Sequence, residues 1–127
     1  EVYRRNMSST EIVAAIEAEA DRSNPDLIYI DPSAKGYIMD LEHDGYVAEA
    51  ADNDVLEGIQ RVKGVLTGGF SIDPACIHTI DEFGAYAYPD NPKIETDKPV
   101  KTDDHAMDAL RYLCMAIAEP VDMLGVY

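Results

Sequence analysis

The chain has 127 residues, 46% of them apolar and 28% charged, which fits one globular domain or part of one and excludes a multidomain machine. Ten Lys and Arg residues against 25 Asp and Glu residues give a formal net charge of −15, which disfavours a nucleic-acid partner held by bulk charge. No apolar run reaches the ~18 to 20 residues that span a bilayer, no signal segment opens the chain and the two cysteines lack zinc-ligand spacing, so we expect a soluble, non-secreted protein with reduced thiols.

The first half of the chain predicts alternating helices and strands. Thr10 is expected to cap the first helix, and Gly45 is placed to close the second helix in a left-handed conformation. The opening residues, 1–3, are typical of the end of a strand, so residues 1–127 are expected to form a single partial domain. The elements are predicted as helix, strand, helix and strand over residues 10–22, 26–31, 33–43 and 46–50.

The second half predicts three helices, a minimal strand and one long loop. Asp73-Pro74 is an N-cap followed by proline at the first helical position. Apolar stripes that include Val55 and Leu66, Ile77 and Phe83, and Leu113 and Ile117 are expected to face the core. The helices are predicted over residues 54–67, 74–86 and 102–118, the strand over 70–72 and the loop over 88–101. Strands alternating with helices predict an α/β layer with a mostly parallel sheet.

Asp31 stands at the end of an apolar strand, and Pro32-Ser33 then turns the chain into a helix. Parallel α/β sheets place their ligand sites at this end of their strands, so Asp31 is a candidate functional carboxylate. An Asx turn or helix cap before proline explains the same residue equally well.

His105 and Asp108 are three residues apart on the last predicted helix, so both side chains face one region of space. They are candidate ligands, and the alternative is a solvated helix start where acidic residues favour the dipole. Lys93, Lys98 and Lys101 place three basic side chains in the preceding loop, where they either contact phosphate or are ordinary solvated residues.

Together these motifs resemble one family, the nuclease domain of the phage terminase large subunit. The late segment Asp104 to Tyr112 is the most specific of the matches. The other matching segments are Asp31-Pro32-Ser33-Ala34, Val55-Leu56-Glu57-Gly58-Ile59, and Glu82 ahead of Tyr86 and Tyr88.

The resemblance implies an RNase H-like α/β fold, with parallel strands and flanking helices, that lacks the first antiparallel strands. By the same resemblance Asp31 is the carboxylate of a later strand, Asp108 that of the final helix, and His105 the histidine one turn before it. These residues would hold two divalent metals, and Mg²⁺ or Mn²⁺ suits carboxylate oxygens. The first-strand aspartate has no counterpart, so the chain alone is expected to cut weakly or not at all.

The resemblance also implies a role. The implied role is that of a metal-dependent endonuclease that cuts concatemeric double-stranded viral DNA during packaging. The implied location is the host cytoplasm and, transiently, the procapsid portal. The implied partners are the small terminase subunit and the portal protein. The strand over Leu27 to Ile30 is expected to be an exposed edge that favours self-association. Alternatives are another RNase H-like nuclease of the resolvase or integrase type, and a non-catalytic docking module for the portal or the small subunit.

Overall fold

A computed structural model describes residues 1–85 and 104–117. The chain divides into two compact units, one formed by Arg4–Asp54 and the other by Glu1–Tyr3 with the residues from Val55 onward. Across the two described ranges, no helix has the length and apolar character needed to cross a membrane.

The unit Arg4–Asp54 contains two helices and two strands in alternating order. Helix α1 (Ser9–Ser23) is followed by strand β1 (Ile28–Ile30), helix α2 (Lys35–His43) and strand β2 (Ala48–Ala50). The two strands run parallel, with Ile28 opposite Ala48. The predicted order of elements and the parallel pairing are therefore confirmed, although both strands are shorter than predicted.

Helix α1 begins one residue earlier than predicted, because Ser8 caps it instead of Thr10. The backbone N–H and the hydroxyl of Ser8 donate to the Glu11 carboxylate at 2.7 and 2.8 Å, and the Glu11 N–H donates back to the Ser8 hydroxyl at 3.3 Å. This reciprocal pair is a capping box, which needs Glu three residues after the cap. Only Ser8 meets that spacing here, and the Thr10 prediction was wrong for this reason.

The core of this unit lies between the sheet and α2. Ile30, Leu41 and Ala48 are its buried residues, and half-buried side chains of α1 pack against them. Gly45 has the predicted left-handed backbone, with φ +95°. The Tyr46 N–H then donates to the Leu41 carbonyl at 2.9 Å, so the chain turns directly from α2 toward β2.

The second unit is formed by helices α3 (Val55–Thr67), α4 (Ile77–Ala85) and α5 (His105–Ile117), with α5 packed against both of the others. Helix α4 begins later than predicted, because the Asp73 carboxylate accepts from the Ala75 N–H at 2.8 Å and caps a separate turn.

Residues 70–72 are irregular and do not form the predicted strand. They are confined between the left-handed Gly69 and the Asp73 turn, which leaves little length for pairing.

The predicted buried faces of these helices need correction. In α5 Leu113 and Ile117 are 47% and 68% exposed, while the buried residues of that helix are Met107, Arg111, Tyr112 and Cys114. The Arg111 stem, which apolar spacing does not predict, packs against α3 at Gly58. The stripes of α3 and α4 are also partly exposed, at Val55, Leu66, Ile77, Ile80 and Phe83. The predicted loop 88–101 and the helix ends at 102–103 and 118 lie outside the described residues.

Candidate functional site

Asp31 immediately follows β1, at the carboxyl end of the parallel strand pair. Its Oδ1 accepts from the Ser33 N–H at 2.8 Å and from the Ser33 hydroxyl at 2.6 Å. Asp31 thereby caps the short 3-10 helix Pro32–Ala34. The capping role proposed as an alternative is confirmed, and it holds this half-buried carboxylate in a fixed orientation at the strand end.

Asp108 lies in the first turn of α5, where its backbone N–H donates to the Asp104 carbonyl at 2.8 Å. Its Oδ1 accepts a hydrogen bond from Nη2 of Arg111 at 2.7 Å. The Arg111 side chain is 5% exposed and that of Asp108 is 22% exposed. The pair is therefore largely shielded from water, and a charge-assisted bond there is stronger than a surface ion pair.

Arg111 reaches this position because Gly58 opens space for it on α3. A Cβ placed on Gly58 would lie 3.2 Å from Cδ of Arg111 and 3.4 Å from its Cβ and Cγ. The arginine stem thus lies directly on the backbone of α3. Its guanidinium carbon is 5.4 Å from the centroid of the Tyr112 ring, within the range of a cation–π contact.

Glu82 fixes the start of α5 from the neighbouring helix α4. Its Oε2 accepts from the backbone N–H groups of Ala106 and Met107, at 2.6 and 3.1 Å, and the residue is 7% exposed. An acidic group at this place satisfies N–H groups that a helix start leaves unpaired and complements the helix dipole. Sequence reasoning missed this contact, since its partners lie 24 and 25 residues away along the chain.

His105 is the first residue of α5 and is exposed, one turn before Asp108 on the same helix. Lys93, Lys98 and Lys101 lie outside the described residues. Asp31 belongs to the unit Arg4–Asp54, while Asp108 and His105 belong to the other unit.

The carboxylates have the donor chemistry that Mg²⁺ and Mn²⁺ prefer. Within residues 1–85 and 104–117, no three His, Cys, Asp or Glu side chains form a group that could hold a metal ion. The described residues therefore fit such an ion in donor type, but they do not complete a two-metal ligand set.

The other cysteine and histidine side chains considered are Cys114, His43 and His78, and none of them is a candidate ligand. Cys114 is fully buried in α5, and burial raises the pKa of its thiol, which makes it the core residue that the sequence predicted. His43 is exposed at the end of α2. The ring of His78 stacks on that of Tyr3, with centroids 3.8 Å apart, while the Glu1 carboxylate accepts from the Thr79 N–H at 2.7 Å.

Among known proteins, this chain matches solved structures. No protein-family model matches it, and no curated protein matches it. Solved structures of the large terminase from a thermophilic bacteriophage do match. The structure with ADP has 28% sequence identity and a TM-score of 0.77, over 88% of this chain and 29% of that chain. The structure with ATP-gamma-S has 28% identity and a TM-score of 0.75, over 86% and 29%.

A further crystal form 3 structure of the same terminase has a TM-score of 0.78 at 28% identity, over 88% of this chain and 30% of that one. The chain thus spans less than a third of the length of the proteins it matches. The match shows the RNase H-like α/β fold that the sequence predicted.

Proposed function

We propose that this chain, which fits a segment of a phage terminase large subunit, supplies the metal-dependent endonuclease portion of that protein. The observation that carries the proposal is the Asp108 carboxylate, held by a buried arginine in the first turn of α5 on a chain with the terminase fold. The sequence has no Gly-x-x-x-x-Gly-Lys-Ser/Thr motif for binding nucleotide phosphates, which favours the nuclease over the ATPase activity.

The proposed reaction is hydrolysis of a phosphodiester bond in concatemeric double-stranded viral DNA during packaging. Two bound divalent metals, Mg²⁺ or Mn²⁺, would activate a water molecule and stabilise the leaving oxygen. Asp31 and Asp108 would hold these ions through their carboxylate oxygens, and His105 would tune a ligand or relay a proton. Two carboxylates give few protein oxygens for two ions, so this chain alone would bind the metals weakly and cut DNA poorly.

The substrate must approach a domain whose net charge is −15, and this charge repels DNA. Bound cations at the carboxylates would offset the local negative charge, and Lys93, Lys98 and Lys101 would add contacts to phosphates. The proposed setting is the host cytoplasm and, transiently, the procapsid portal, with the small terminase subunit and the portal protein as partners.

Plasmid cleavage by the full large subunit carrying this sequence tests the proposal, with Mn²⁺ and with or without a chelator. Asp31→Asn and Asp108→Asn remove a charged ligand and nearly preserve its shape, so each should abolish metal-dependent cleavage while circular dichroism stays unchanged. Asp40→Asn on α2 and Asp81→Asn on α4 are the matched controls, because both residues are exposed.

Two outcomes would redirect the proposal. Undiminished cleavage by a folded Asp108→Asn protein would contradict the catalytic role and favour the docking module. Cleavage restricted to branched DNA junctions would favour a nuclease of the resolvase or integrase type.

A further inference from the structure

We propose that Arg111 is a positioning residue for Asp108, fixing one carboxylate oxygen so that the other faces a divalent cation. This inference rests on the proposed function, since it assigns Asp108 to a metal. Arg111 forms part of the buried face of α5.

Arg111 and Asp108 are joined by a direct hydrogen bond. Nη2 of Arg111 donates to Oδ1 of Asp108 at 2.7 Å, within one helical turn. The bond selects one rotamer of the aspartate and uses one lone pair of Oδ1, so we assign the cation to Oδ2. Carboxylates that bind metals are commonly held by such outer partners, and losing the partner typically costs about 10 to 100-fold in metal affinity.

Arg111 itself is held on two sides. Its stem lies on the α3 backbone at Gly58, with only 3.2 Å between Cδ and the place a Cβ would occupy. Its guanidinium carbon lies 5.4 Å from the Tyr112 ring centroid. Because packing on α3 fixes the guanidinium, it also fixes the carboxylate that the guanidinium binds. A solvated arginine would not have this effect.

The positive charge of Arg111 has an opposing effect. A guanidinium near a cation site repels the cation, so Arg111 would weaken binding if its charge dominated. If positioning dominates, removal of the guanidinium lowers the affinity for Mn²⁺. If repulsion dominates, its removal raises that affinity. The sign of the change in Mn²⁺ affinity therefore decides between the two effects.

The experiment measures Mn²⁺ binding to the full large subunit, without DNA or nucleotide, from the electron paramagnetic resonance signal of free Mn²⁺. Asp108→Asn identifies the binding that belongs to this site. Arg111→Met keeps the stem over Gly58 and removes the guanidinium, and we expect binding at this site to weaken about 10 to 100-fold. Arg111→Lys restores the charge without the planar fork, and we expect it to recover only part of the affinity.

Arg61→Met is the matched control, because Arg61 also joins α3 to α5. It donates to the Met115 carbonyl at 2.8 Å and to Glu57 Oε1 at 3.1 Å, away from Asp108. We expect it to lower the melting temperature as much as Arg111→Met does and to leave Mn²⁺ affinity unchanged.

Unchanged or tighter Mn²⁺ binding in Arg111→Met would overturn the positioning role, provided that Asp108→Asn weakens binding. An equal loss of affinity in Arg61→Met would also overturn it, because the effect would then follow the helix packing in general. If Asp108→Asn changes neither Mn²⁺ binding nor cleavage, the proposed function itself fails.

Discussion

The Glu82 carboxylate of α4 accepts the backbone N–H of Ala106 at 2.6 Å, across two helices that are far apart in the sequence. The same oxygen accepts the N–H of Met107 at 3.1 Å. Asp108 lies in the first turn of α5. The Glu82 carboxylate therefore stabilises the turn that positions this candidate ligand.

Glu82→Ala should destabilise the chain by about 1 to 3 kcal/mol, because it leaves buried backbone donors without their charged acceptor. Glu82→Gln keeps the shape and one acceptor oxygen, and its cost should be smaller. Urea unfolding followed by circular dichroism measures both, with Asp81→Asn on the exposed side of α4 as the control. Equal stability of Glu82→Ala and the parent chain would mean that the cap contributes little.

Gly58→Ala tests the close approach of α3 and α5. Alanine gains up to about 1 kcal/mol over glycine in a helix, but its Cβ would meet the Arg111 stem at 3.2 Å and force a shift. We therefore expect little net change in unfolding free energy and several-fold weaker Mn²⁺ binding through Asp108. Gly84→Ala on α4 has open space around its Cβ and should leave Mn²⁺ binding unchanged. Unaltered binding in Gly58→Ala would show that the Arg111 stem can move without disturbing the carboxylate.

Local sequence signals predicted the elements well. Gly45 and the Asp31-Pro32-Ser33 turn depend on backbone conformation and on neighbours within a few residues, and both were predicted correctly. The buried face of α5 was predicted wrongly, because apolar spacing favoured Leu113 over Arg111. Arg111 is buried only because Gly58, 53 residues earlier, leaves room for its stem and Asp108 pairs with its charge. Periodicity carries no information about such long-range partners.

The sequence also found Asp31, His105 and Asp108 as candidates without identifying what holds them. Strand ends and helix spacing mark positions where a functional carboxylate can lie. They do not show that Oδ1 of Asp31 is engaged by Ser33, or that Oδ1 of Asp108 is engaged by Arg111. Those contacts fix the orientation of each carboxylate, and they follow from the folded structure.

His105→Ala should reduce metal-dependent cleavage less than Asp108→Asn does. His105 is exposed at the first position of α5, and its proposed role of relaying a proton or tuning a ligand is of a kind that contributes about 10² to 10⁴-fold. Single-turnover cleavage with Mn²⁺ by the full large subunit measures the difference. His43→Ala at the exposed end of α2 is the control. A loss as complete as that of Asp108→Asn would instead make the histidine indispensable.

A cluster of acidic side chains in the unit Arg4–Asp54 gives a prediction for pH. A hydrogen bond with Asp44, together with partial desolvation and the charges of Asp44 and Asp21, raises the pKa of Glu17 above its usual 4.5. The Tyr46 hydroxyl donates to Oδ1 of Asp21 at 2.6 Å, and that bond is the main cause that raises the pKa of Tyr46 to about 12. Because its pKa is raised, Glu17 binds its proton more tightly in the folded chain than in the unfolded chain.

Glu17→Gln should raise the melting temperature at pH 7 and have little effect at pH 4. Because the folded state holds the Glu17 proton more tightly, this contribution to stability is present below the usual pKa of 4.5 and is lost as pH rises through the raised pKa. The amide cannot ionise, so the variant escapes this loss. Glu19→Gln on the same helix is the matched control, since an ion pair with Arg22 lowers the pKa of Glu19 and its removal should lower stability slightly at pH 7. Thermal unfolding by circular dichroism at both pH values tests the pair, and a Glu17→Gln gain that is equal at pH 4 and pH 7 would contradict the raised pKa.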